Sequence, residues 1–216
     1  MTRTRFSGVL VPVITPFNDD LSPNAGAFVS HCRWMLDQGV DGLAIFGTTS
    51  EANSLTVAER KMLLEALLEN GLPAGKLMPG TGACSIMDAA DLTAHAVSRG
   101  CGGVLMLPPF YYKAVDTDGL FASFSEVIER VADQRLHVYL YHIPPVAQVP
   151  IGLDLIERLV ERYPDTVVGL KDSSGDWANT QAILDGFPGF ATFAGSESFL
   201  LDTVRGGGAG CITASG

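Results

Sequence analysis

Lys171 is the one charge in the apolar run Val167-Val168-Gly169-Leu170-Lys171, directly before the turn Asp172-Ser173-Ser174-Gly175-Asp176. An amine at the carboxyl end of a buried strand, partly stripped of water, can attack a keto carbon and form a Schiff base. Attack at neutral pH needs the amine in its neutral form. A lone lysine there would simply carry its ammonium out to water, so its neighbours decide. Tyr141, 30 residues earlier in the run Val138-Tyr139-Leu140-Tyr141, falls at the end of the preceding strand candidate. A phenol beside an amine can shuttle its proton.

The elements that must hold these groups alternate in type. Strand candidates are 9–14, 42–46, 76–79, 103–107, 137–141, 167–170, 191–194 and 210–213, and between them helical periodicity spans 24–38, 57–69, 86–99, 117–132, 153–162, 177–185 and 198–205. Several helices open on a Ser, Thr or Asp cap. Continuously apolar strands favour a parallel sheet covered on both faces. Eight βα units predict an α/β fold, a (β/α)8 TIM barrel formed as a single domain over residues 1–216, with chemistry at the carboxyl ends of its strands. An open doubly wound sheet competes, but Val13-Ile14-Thr15-Pro16-Phe17 lacks the glycines of a nucleotide-binding first turn. The last strand candidate meets the end of the chain, so the expected barrel lacks its eighth helix.

The segments after the strand candidates form a coherent chemical set. Gly47-Thr48-Thr49-Ser50-Glu51 offers hydroxyls and main-chain N–H groups to a carboxylate. Pro108-Pro109-Phe110-Tyr111-Tyr112-Lys113 brings two phenols and a second amine, and Tyr141-His142-Ile143-Pro144-Pro145 and Gly195-Ser196-Glu197-Ser198 complete the ring. Gly206-Gly207-Gly208-Ala209-Gly210 precedes a strand and lacks a following Lys-Ser or Lys-Thr, so it reads as a tight turn and not a phosphate loop.

Composition narrows the partners. A net charge of -10 argues against nucleic acid or an anionic membrane, both bound mainly through Lys and Arg. No stretch approaches a membrane span and no signal-peptide core follows the N-terminus, which predicts a cytoplasmic protein. Cys32, Cys84, Cys101 and Cys211 are too scattered for a disulfide framework or a zinc site. No metal is expected.

The strings VPVITPF (11–17), GTTSE (47–51), PGTGA (79–83), LPPFYYK (107–113), YHIP (141–144), GLKDSSG (169–175), AGSES (194–198) and GGGAGCIT (206–213) occur in this order. In that order the chain resembles the dihydrodipicolinate synthase and N-acetylneuraminate lyase superfamily, pyruvate-dependent class I aldolases. The resemblance implies Lys171 as the imine-forming lysine and Tyr141 as the proton-relaying phenol. It implies Thr48 and Tyr111 as relay partners, Tyr111 being lent across a subunit interface in many members. Gly47 and Thr49 then belong to the pocket for the carboxylate of pyruvate. Ser173, Gly195, Glu197 and Thr213 are expected to face the second substrate, and His142 either to face it or to serve the structure. No cofactor is implied beyond the covalent imine, and the implied assembly is a homotetramer, a dimer of dimers.

Where synthases acting on aspartate semialdehyde carry an arginine, this chain has Val146, which disfavours that activity because a carboxylate donor is lost. The family's Tyr-Asn pair reads Tyr141-His142, and the members' final helices are absent. The implied reaction joins pyruvate, or another 2-keto acid, to an aldehyde or splits the product, with a 2-keto-3-deoxy sugar acid as the expected substrate. Dehydration of such an acid, keto-acid binding without turnover, and a phosphate-binding metabolic barrel are the alternatives.

Overall fold

The computed structural model describes residues 5–214. Its seven strands are β1 (Gly8–Pro12), β2 (Gly42–Ala44), β3 (Val104–Met106), β4 (Val138–His142), β5 (Val167–Asp172), β6 (Ala191–Ala194) and β7 (Gly210–Ile212). All pair in parallel, in the order β2-β1-β7-β6-β5-β4-β3. The helices are α1 (Ala25–Asp37), α2 (Val57–Glu69), α3 (Ile86–Ser98), α4 (Thr117–Val131), α5 (Pro144–Ala147), α6 (Leu153–Arg162), α7 (Trp177–Gly186) and α8 (Leu200–Arg205). This is a nearly closed (β/α)8-type barrel whose described residues end just after β7.

The expected strand over 76–79 is a correction. Residues 77–81 run between β2 and β3 as two isolated bridges, Leu43 to Leu77 and Gly80 to Leu105. Met78 and Gly80 donate to Leu43 and Ile45 on one side, while Leu105 donates to Pro79 and Thr81 donates back to Leu105 on the other. Pro79 has no N–H to extend the ladder. The segment therefore fills the eighth position without regular strand geometry.

Alternation along the strands separates two apolar clusters. Leu10, Met78, Leu105, Tyr139, Phe193 and Ile212 fill the barrel, while Val11, Leu43, Val104, Leu140 and Leu170 face the helices. Helix starts follow the caps legible in the sequence. Asn24, Ser85, Asp116 and Asp176 each accept a backbone N–H, and Thr56 with Glu59 forms a reciprocal capping box at α2. The glycine turn before β7 is tight, because a Cβ on Gly210 would lie 1.9 Å from the Gly8 carbonyl oxygen. Among the described residues, no helix is long and apolar enough to cross a membrane.

Candidate active site

Lys171 and Tyr141 are paired neighbours in the β4–β5 register, so their side chains project together into the carboxyl-terminal end of the barrel. Lys171 is 6% exposed. Its Nζ donates to the Tyr141 hydroxyl at 3.3 Å and lies 4.4 Å from the centre of that ring. The Tyr141 oxygen is in turn 3.3 Å from Thr48 Oγ1. Amine, phenol and threonine hydroxyl form a continuous chain from the buried interior to an exposed loop.

That loop is fastened from beneath. Ser50 is fully buried and donates to the Val13 carbonyl at 2.5 Å, while Thr15 Oγ1 donates to the Ser50 carbonyl at 2.8 Å. Arg60, buried on α2, donates from Nε to the Ala52 carbonyl at 3.0 Å and from Nη2 to the same oxygen. Burial lowers its pKa. Sequence reading passed over these residues, although Arg60 shares the i, i+3, i+4, i+7 face of Leu63, Leu64 and Leu67. A charge on an apolar helical face signals a buried role.

A cavity of about 210 Å³ opens beside the chain of hydroxyls, and Thr48 and Tyr141 stand on its wall. Its apolar wall comes from Phe46, Leu105, Leu107, Phe110, Ile143 and Val146. Glu51 is the only charged side chain in the lining.

The remaining expected residues are distributed around the rim. Gly47 lines the cavity and Thr49 is half-buried in the same loop. Ser173 stands over Gly195, where an added Cβ would meet the serine oxygen at 2.2 Å. Thr213 donates to Glu197 at 2.7 Å. Ser173, Gly195, Glu197 and Thr213 thus lie at the ends of β5, β6 and β7, outside the cavity lining. Tyr111 is 76% exposed and stacks edge-on against Tyr112 at 5.5 Å; within one chain it is not joined to Thr48 or Tyr141.

His142 corrects the expectation of a side chain facing the second substrate. Tyr141 points into the barrel, so strand alternation sends His142 to the helix side. There its Nδ1 accepts from the Ile151 N–H at 3.0 Å, and burial lowers its pKa against the opposing influence of Asp172. Asp172 likewise points outward, accepting from Thr180 at 2.7 Å and Asn179 at 3.0 Å. Among the described residues, no group of three or more His, Cys, Asp or Glu side chains is placed to hold a metal ion.

A parallel barrel with a buried amine and phenol at its mouth is built as an enzyme's frame. The profile of the Dihydrodipicolinate synthetase family matches residues 5–216. A DapA-like lyase of Chloroflexus aurantiacus is 36% identical over 211 residues, covering 96% of this chain and 69% of the relative. A 4-hydroxy-tetrahydrodipicolinate synthase of Agrobacterium fabrum is 32% identical over 210 residues, covering 96% of this chain and 69% of its own length. The crystal structure of dihydrodipicolinate synthase from Agrobacterium tumefaciens superposes with a TM-score of 0.92 at 36% identity, covering 95% of this chain and 72% of that one. That of YagE from E. coli K12, in complex with pyruvate, gives 0.87 at 26% identity, with 97% and 70% covered. The chain belongs to the dihydrodipicolinate synthetase family and is a carbon–carbon lyase of that family.

Proposed function

We propose that this chain makes and breaks a carbon–carbon bond beside a 2-oxo acid held as an imine on Lys171. The observation that carries the reading is the buried Lys171 Nζ, 3.3 Å from the Tyr141 hydroxyl, which is itself 3.3 Å from Thr48 Oγ1. The neutral amine adds to the keto carbon of pyruvate, and water leaves with protons passed through Tyr141. Loss of a C3 proton gives an enamine. Its C3 attacks an aldehyde carbon while the aldehyde oxygen takes a proton from Tyr141, and hydrolysis frees Lys171 and a 4-hydroxy-2-oxo acid. Cleavage is the reverse.

The carboxylate of the 2-oxo acid rests on the main-chain N–H groups of Thr48 and Thr49 and on the Thr49 hydroxyl. These neutral donors bind the carboxylate without a cationic side chain. Tyr111, exposed on its own chain, serves a neighbouring copy in a homotetramer and extends the hydroxyl relay there. Val146, on the cavity wall, cannot grip a second carboxylate, which disfavours aspartate semialdehyde.

Borohydride reduction in the presence of pyruvate tests the reading. Peptide mass analysis is expected to find a stable adduct on Lys171 in the wild type and none in Lys171→Ala. An unmodified Lys171 under saturating pyruvate would overturn it.

A further inference from the structure

The cavity beside Tyr141 has a character of its own, and it bears on the second substrate. Six of its lining side chains, Phe46, Leu105, Leu107, Phe110, Ile143 and Val146, are apolar. Lys113 is the cation nearest to this wall in sequence, three residues after Phe110. Its ammonium donates to the carbonyl oxygens of Phe110 and, at 2.7 Å, of Ala147. Arg60, behind the opposite wall, gives Nε and Nη2 to the Ala52 carbonyl. Both cations are thus engaged in holding main chain that borders the cavity. The one charge on the wall, Glu51, would repel an anion.

The polar groups expected to bind a polyol are elsewhere. Thr213 and Glu197 bond to each other, Ser173 packs over Gly195, and none of the three lines the cavity. Apart from Tyr141, the polar lining comes from the single loop that carries Thr48, Glu51, Asn53 and Ser54, so the hydroxyls of a polyol turned toward the apolar wall would be desolvated without partners. Size supports an apolar occupant as well. A dry cavity of about 150 Å³ lined by aliphatic and aromatic groups accepts benzene, and this one measures about 210 Å³.

We infer that the aldehyde handled by this site carries an uncharged, apolar arm of about ring size, an aryl or branched alkyl group, in place of a polyol or a second carboxylate. The inference rests on the imine reading of Lys171. The aldehyde carbonyl lies at Tyr141, whose hydroxyl borders both the amine and the cavity, while the arm occupies the apolar wall. Addition forms one bond between enamine C3 and the aldehyde carbon. The electron pair displaced onto oxygen is neutralised by the Tyr141 proton, and water then hydrolyses the imine.

The test measures pyruvate consumption and 4-hydroxy-2-oxo acid formation with benzaldehyde, 2-methylpropanal, D-glyceraldehyde and succinic semialdehyde. Borohydride trapping with pyruvate alone runs in parallel. The expected result is trapping on Lys171 together with kcat/KM at least about tenfold higher for the two apolar aldehydes than for the other two, as apolar pocket contacts allow. Val146→Arg, at a position 60% exposed, is expected to lower turnover of benzaldehyde and raise that of succinic semialdehyde, with an unchanged melting temperature showing that it folds. Trapping accompanied by a preference for glyceraldehyde or succinic semialdehyde, or by no turnover of any aldehyde, overturns this inference and leaves the imine reading standing. Absence of trapping overturns both.

Discussion

In the proposed reaction, Lys171, Tyr141 and Thr48 divide the work between an amine that bonds and two hydroxyls that move protons. Tyr141→Phe keeps the ring beneath the amine and removes only the relay. Turnover is expected to fall about 10²- to 10³-fold, with pyruvate trapping slowed but still directed to Lys171; an unchanged kcat would show that the phenol is a bystander. His142 makes a different prediction. The Ile151 N–H requires an unprotonated Nδ1, and burial lowers the imidazole pKa in the folded chain. The unfolded chain therefore binds the proton more readily. The stabilisation is fully present above about pH 6.5 and is lost as pH falls through that value toward the lower folded pKa. Melting temperature measured against pH should decline on the acid side. His142→Asn should flatten the part of that decline nearest pH 6, where His95, whose pKa burial also lowers, contributes too; Asp20, Glu59 and Asp154, held low by hydrogen bonds, add to it at more acid pH. Lys171 and Tyr141 were legible in the sequence as strand-end polar groups, whereas the family motif left His142 between substrate and structure, and the pleat that turns neighbours to opposite faces decides for structure.

Two helices were legible to the residue for different reasons, α2 through its Thr56–Glu59 capping box and α6 through its apolar stripe of Leu155, Ile156 and Leu159. The short helix α5 was not, because Ile143-Pro144-Pro145 reads as extended chain although Pro144 takes the first helical position. The segment 76–79 looked like a strand by its apolar content, and only its tertiary partners reveal that Pro79 divides the pairing. Close packing between strands escapes sequence patterns altogether. At Gly169 a Cβ would lie 2.4 Å from the Ala191 carbonyl oxygen and 2.6 Å from the Tyr139 ring. Gly169→Ala on β5 is expected to cost about 1 to 3 kcal/mol through overpacking. In a chain of this length that corresponds to a melting temperature lower by about 2 to 12 °C. A melting temperature equal to that of the wild type would contradict the close approach.

For the whole molecule, accessibility sorts the four cysteines. Burial pushes the Cys32 thiol up to about 12 and that of Cys211 to about 11, and Cys101 is also buried while Cys84 is only half-buried. A thiol reagent at pH 8 should label Cys84 first and reach the other three only on unfolding; early labelling of Cys32 would refute the packing of α1. Assembly is open to a complementation test of the proposed loan of Tyr111. Lys171→Ala and Tyr111→Phe chains, mixed and reassembled, should regain up to about a quarter of wild-type activity, because a symmetric interface rebuilds one intact site in each mixed pair. No recovery on mixing would place Tyr111 outside the reaction. At the far end of the barrel the Tyr139 hydroxyl accepts the Phe6 N–H at 2.8 Å, and Phe6 and Phe193 meet the Tyr139 ring edge-on. These rings pack across the amino-terminal end of the barrel, opposite the end where Lys171 and Tyr141 stand. In the proposed reaction run as a cleavage, the aldehyde would leave first and the 2-oxo acid would stay on Lys171 until its imine is hydrolysed.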